Sequence, residues 1–210
     1  MGKYFSVAKF KYPFYVLTHP ADGFYEIRHR ERGSVPIALI GVLLFSFSFT
    51  VRRLMASFIV SDVNPRDVNS FTELIGVFLL FFLFCVANWS VTCLMEGEGR
   101  LMDIVTVVGY ALLPMILTYV PATILSQFLA SNEVGFYNLI IGIGTIYSLI
   151  LALVGIMTVH NFTLGKTLVT LIITFVAMLI FIFLFTLFTS LIQQVWMFFS
   201  SIYTELLFRA

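Results

Sequence analysis

Long apolar stretches separated by short polar segments dominate this chain. Five stretches contain no Asp, Glu, Lys or Arg: residues 34–51, 74–95, 104–127, 136–159 and 167–192. A helix needs about 20 apolar residues to cross the ~30 Å hydrocarbon layer of a bilayer, so each stretch is long enough to span it or nearly so. The pattern predicts an all-α integral membrane bundle of about five transmembrane helices, formed by residues 34–192.

The segment before the first apolar stretch, residues 1–33, mixes aromatic and basic side chains. Such mixtures suit the headgroup layer of a membrane. At helical spacing, Phe24 and Ile27 fall on one face and three arginines fall around the other: Arg28, Arg30 and Arg32. We therefore expect a short amphipathic helix here, lying against the membrane on the cytoplasmic side.

The segment after the last apolar stretch, residues 193–210, has apolar side chains at helical spacing, among them Trp196 and Phe199. This periodicity predicts an amphipathic helix. Two placements are open. The helix either turns to lie on the outer face of the membrane or continues the fifth span to meet a partner.

Basic residues in the loops predict the orientation, because basic loops are retained on the cytoplasmic side. Eight Lys and Arg residues fall on the side of the N-terminus and four on the opposite side. With five spans, the N-terminus is expected in the cytoplasm and the C-terminus outside. The Arg52-Arg53 pair is the local objection to this topology.

Composition and charge exclude several classes of protein. The chain is 60% hydrophobic and carries a net charge of +1, with no long basic run, so a nucleic-acid surface has no support. The five stretches hold no ionisable group except thiols and phenols, and the common hydrolase, phosphate-loop and metal-ligand motifs are missing from the sequence. We expect neither an enzyme nor a bound cofactor or metal.

The third stretch contains two prolines, Pro114 and Pro121. Each proline removes a backbone donor, so this span is expected to be kinked. Broken helices also line transport sites, which makes a transporter the alternative function. Asn88, in the second stretch, is placed to join helices by a hydrogen bond.

Several short motifs resemble a known family. They are the run Gly109-Tyr110 with Pro114 downstream, the segment from His19-Pro20 to Arg28, and the Gly97-x-Gly99 turn before the third span. Together with five spans and a cytoplasmic N-terminus, they resemble bacterial-type members of the Yip (Ypt-interacting protein) domain family. The resemblance implies a non-enzymatic α-helical protein of the bacterial cell membrane that acts through partners.

Two functions follow as hypotheses. The first is an interaction or accessory protein that contacts another membrane protein through its two flanking segments. The resemblance suggests a membrane transport complex, such as a sugar ABC importer, as that partner. The alternative is a small-molecule or lipid transporter that uses the proline-kinked third helix. Besides the lipid bilayer and this partner, homo-oligomerisation stays open.

Overall fold

The computed structural model describes residues 7–61 and 63–209, and all of the regular structure in these residues is helical. Two short 3₁₀ turns, Pro65–Asp67 and Ser131–Glu133, lie in the loops. The α-helices are α1 Val7–Thr18, α2 Pro20–Arg30, α3 Val35–Met55, α4 Ser70–Leu94, α5 Leu101–Ala111, α6 Leu113–Ser126, α7 Val134–His160 and α8 Leu164–Arg209.

Within the described residues, five helical units are long and apolar enough to cross a membrane: α3, α4, α5 with α6, α7 and α8. This confirms the predicted all-α membrane bundle. All five spans are longer than the uncharged stretches suggested, and each includes an ionisable group near one end. These groups are Arg52 and Arg53 in α3, Glu73 in α4, Asp103 in α5, His160 in α7 and Lys166 in α8. The expectation of spans without ionisable groups therefore needs correction at these helix ends.

The third span is interrupted at Leu112, where α5 ends and α6 begins. Pro114 explains the break, because it has no N–H to donate to the Tyr110 carbonyl one turn earlier. Pro121 lies inside α6, which continues through it. The predicted distortion of this span is thus concentrated at the first proline.

The N-terminal helices α1 and α2 fold onto the bundle instead of only lying on the membrane. Phe24 is fully buried and Ile27 nearly so, and the Phe24 ring packs against Gly155 of α7. The apolar face of α2 was expected to meet lipid. That expectation needs correction, because α2 turns this face towards α5 and α7 and buries Phe24 and Ile27 there.

Contacts between loops define two ends of the bundle. At the N-terminal end, the start of α3, the α4–α5 turn and the α7–α8 turn lie together with α1 and α2. At the opposite end, the Ser57 backbone N–H donates to Ser126 Oγ at 3.1 Å, and the Gln127 amide donates to the Met55 carbonyl. The described part of the chain crosses between these ends five times.

Helix α8 is one continuous helix of 46 residues. Its buried side chains lie near its start, at Thr167, Thr170 and Thr174, and none of the described side chains beyond Thr174 is buried. The segment beginning at residue 193 therefore continues the helix of the fifth span and does not turn away from it.

Replacing Phe24 with Ala tests how α2 is docked. The change should lower the free energy of unfolding by about 3–5 kcal/mol, the usual range for a buried phenylalanine. Tyr25→Ala is the matched control, because Tyr25 is 53% exposed and surface changes stay within about 0.5 kcal/mol. Thermal unfolding in mild detergent, followed by gel filtration, measures both. Equal losses of stability in the two variants would contradict the packing of α2 on the bundle.

Candidate functional site at the N-terminal end of the bundle

Gly109 and Tyr110 join α5 to the start of α3. A Cβ atom at Gly109 would lie 2.7 Å from the Ala38 Cβ and 2.9 Å from the Ala38 carbonyl oxygen, so only glycine allows the two helices to approach this closely. One residue later, the buried Tyr110 hydroxyl accepts a hydrogen bond of 3.1 Å from the Ser34 backbone N–H. The pair therefore fixes where the first span begins.

Tyr12 of α1 extends this joint into the N-terminal hairpin. Its ring lies 6.5 Å from the Tyr110 ring, centroid to centroid, and its hydroxyl donates to the Gly23 carbonyl at 2.8 Å. Burial and the neighbouring Glu26 carboxylate raise the pKa of Tyr12. The phenol consequently keeps the proton that it donates to α2.

The Gly97-x-Gly99 turn packs directly on His160, the last residue of α7. Cβ atoms at the two glycines would lie 2.6 Å from His160 Nδ1 and 2.5 Å from its Cε1, respectively. The Gly99 N–H donates to Nδ1 at 3.1 Å, which places the ring proton on Nε2. Nε2 is buried without a hydrogen-bond partner within the described residues. Without side chains, the two glycines let the α4–α5 turn close onto α7.

Charged groups complete the N-terminal end. The Arg28 guanidinium donates to the Asp103 carboxylate at 3.2 Å, and both side chains are largely buried. Arg30 and Arg32 both pair with Glu26 on the surface of α2, at 3.2 Å and 2.9 Å. The three predicted arginines thus divide into one that links α2 to α5 and two that stay at the exposed surface.

A second charged cluster lies at the opposite end, and no motif in the sequence indicated its geometry. Arg53 pairs with Glu73 at 2.7 Å, and Thr50 donates to the same carboxylate at 2.9 Å. The Arg52 guanidinium carbon lies 4.7 Å from the Tyr119 ring centroid, a cation–π geometry. Both arginines therefore have protein partners at this end of the bundle. The sequence alone does not show which side chains of the other spans lie beside these two arginines.

Asn88 joins α4 to α8 in the interior. Its side-chain amide donates to Thr174 Oγ1 at 3.2 Å, and its carbonyl oxygen is buried without a partner in the described chain. This is the interhelical role that its position suggested. Trp196 and Phe199 lie far from it, on the exposed part of α8.

The structure thus gathers many of the predicted residues at one end. Phe24, Ile27, Arg28, Gly97, Gly99, Gly109 and Tyr110 lie at or near the N-terminal end. Pro121, Trp196 and Phe199 do not join them. His160 and Asp103 are contact residues that the motifs did not indicate. Among the residues described, no group of three or more His, Cys, Asp or Glu side chains could hold a metal ion.

The architecture defines the class of the protein as a multi-pass α-helical protein of the membrane. The Yip1 domain matches residues 14–201, which is most of the chain. The protein therefore belongs to the Yip1 domain family, and the resemblance seen in its motifs is confirmed. No curated protein and no solved structure matches the chain significantly.

Gly109→Val tests the contact between α3 and α5. The added side chain would collide with Ala38, and such overpacking should lower the free energy of unfolding by about 1–3 kcal/mol. Gly142→Val is the control, because a Cβ there meets nothing within 4 Å. Unfolding midpoints of the purified protein in detergent compare the two variants. A Gly109 variant as stable as the Gly142 variant would show that the close approach is dispensable.

Proposed function

We propose that this protein is a non-enzymatic interaction or accessory protein of the bacterial cell membrane, working without a cofactor. Its N-terminus lies in the cytoplasm and its C-terminus outside, and its partner is another membrane protein, such as a subunit of a sugar ABC importer. Membership of a multi-pass membrane family supports the general role. The observation that carries the proposal is the exposed length of α8.

The length of α8 exceeds what a bilayer can cover. At 1.5 Å per residue its 46 residues extend about 69 Å, whereas the hydrocarbon layer is only ~30 Å thick. The part beyond the membrane still presents large apolar side chains, and Trp196 is 75% exposed. Exposed apolar surface of this extent marks an interaction site. A protein partner would bury it.

The outer surface of the N-terminal hairpin supplies a second contact region. Phe10, Phe14 and Tyr25 are all about half exposed there, beside the exposed Arg30 and Arg32. Aromatic and arginine side chains are enriched in protein interfaces and also suit headgroups. Either role holds the hairpin at the membrane surface while the opposite face packs on the bundle.

The proposed orientation rests on the excess of basic residues on the N-terminal side. The Arg52-Arg53 pair opposed it, but the Glu73 carboxylate offsets the charge of Arg53. Arg52 lies over the rings of Phe49 and Tyr119. These contacts weaken the objection because the two cations have partners in the folded protein.

Photocrosslinking in native membranes tests the partner. A photoreactive amino acid at Trp196 or Phe199 should join the protein to one reproducible membrane-protein partner, identified by mass spectrometry. The same group at Val176, an exposed position nearer the start of α8, is the control and should yield mainly lipid adducts. If positions 196 and 199 give the same lipid adducts as Val176, the proposal fails.

The interrupted third span supports transport as the second candidate function. The break at Leu112 and the buried hydroxyls of Ser46 and Ser148, which have no hydrogen-bond partner among the described residues, are features that a substrate path would use. In liposomes, Pro114→Ala should then slow substrate flux severalfold, whereas Leu117→Ala, at an exposed position of α6, should leave it unchanged. Liposomes that remain inert over a broad panel of solutes and lipids would remove this candidate.

A further inference from the structure

A cleft of about 280 Å³ opens at the N-terminal end, between the α1–α2 hairpin and the first turns of α3 and α5. Three cations line it, Lys9 from α1, Arg28 from α2 and Arg100 from the turn before α5. Two carboxylates, Glu31 and Asp103, face them. The ionisable lining is therefore cationic overall, although the family and its proposed function assign no ligand to it.

The two carboxylates are not equivalent. Asp103 is already engaged, because it accepts hydrogen bonds from the Arg28 guanidinium and from the Arg100 backbone N–H, both at 3.2 Å. Lys9 Nζ makes one long hydrogen bond of 3.4 Å to the Gly33 carbonyl, which leaves ammonium donors for another group. The Arg100 side chain forms no ion pair within the described chain. Lys9 and Arg100 are thus the cations available to an anion.

The N-termini of two helices, which carry a partial positive charge, also lie at this cleft. Val35 begins α3 and lines the cleft, and Leu101 begins α5 between two lining residues, Arg100 and Met102. Backbone N–H groups at a helix start favour an anion. Helix α3 spans the membrane and α5 begins the span that α6 completes, so the first residues of α3 and α5 mark the depth at which lipid phosphates lie.

The edge of the cleft favours a lipid over a soluble anion. Met102 is 70% exposed beside it, and Ile27 and Val35 add apolar lining. A phosphate bound to Lys9 and Arg100 would place the glycerol and acyl chains of a lipid against such side chains. Basic pockets between spanning helices commonly hold anionic headgroups. We infer that the cleft binds the phosphate of an anionic phospholipid from the leaflet on the N-terminal side.

A titration of the full-length protein in neutral detergent with short-chain phosphatidylglycerol, read by native mass spectrometry, tests this inference. Lys9→Gln with Arg100→Gln should weaken binding at least about tenfold. Lys11→Gln with Arg30→Gln removes the same charge from exposed positions outside the cleft and should weaken it less than about threefold. Phosphatidylcholine, which has no net charge, should bind weakly to every variant.

Glu31→Gln provides a second test, in which lipid binding is expected to become stronger and not weaker. Because Glu31 is a carboxylate in the cleft without an ion-pair partner in the described residues, removing its charge should strengthen binding severalfold. This gain also guards against misfolding, since a damaged protein would not bind more tightly.

Three results would overturn the inference. Equal losses in the two double variants would show diffuse surface attraction instead of a site. Weaker or unchanged binding in the Glu31 variant would show that the carboxylate does not face the ligand. Inorganic phosphate binding as tightly as the lipid, with the same dependence on Lys9 and Arg100, would identify a soluble phosphate as the ligand.

Discussion

The N-terminal end of the bundle depends on the close approach of α3 and α5. Gly109 lets the two helices touch at Ala38, and Tyr110 then reaches the backbone at Ser34, where the first span begins. With that point fixed, the hairpin of α1 and α2 finds a surface into which Phe24 fits. The cleft with its basic residues exists only because this hairpin is held there. A change at the contact between Gly109 and Ala38 is therefore expected to alter the packing of the whole N-terminal end.

The basic side chains have different surroundings at the two ends of the bundle. At the opposite end, Arg53 and Glu73 pair across two helices and Arg52 lies over Tyr119, so cations close to the hydrocarbon have protein partners. At the N-terminal end, several cations remain at an accessible surface. Desolvated charge is costly unless it is paired, whereas charge at headgroup depth interacts with lipid phosphates. The first arrangement stabilises helix ends, and the second offers a place for a ligand.

Helix α8 begins inside the bundle and continues as a long exposed helix. Its first turns are anchored by threonines and by Asn88 of α4, and these interior hydrogen bonds fix its position. In its later turns, none of the described side chains beyond Thr174 is buried. A helix with one anchored half and one exposed apolar half is suited to meeting another helix in or above the membrane.

The sequence by itself determined the number of spans, the all-α class and the family, because long uncharged stretches and local motifs are properties of neighbouring residues. It also predicted the disturbance at Pro114, since a proline removes a donor in any helix. Tertiary structure decided the rest. The burial of Phe24 and the pairing of Arg53 with Glu73 depend on which surfaces meet, and apolar periodicity cannot tell a face against lipid from one against protein. Residues distant in sequence, such as Gly99 and His160, become partners only when the helices pack.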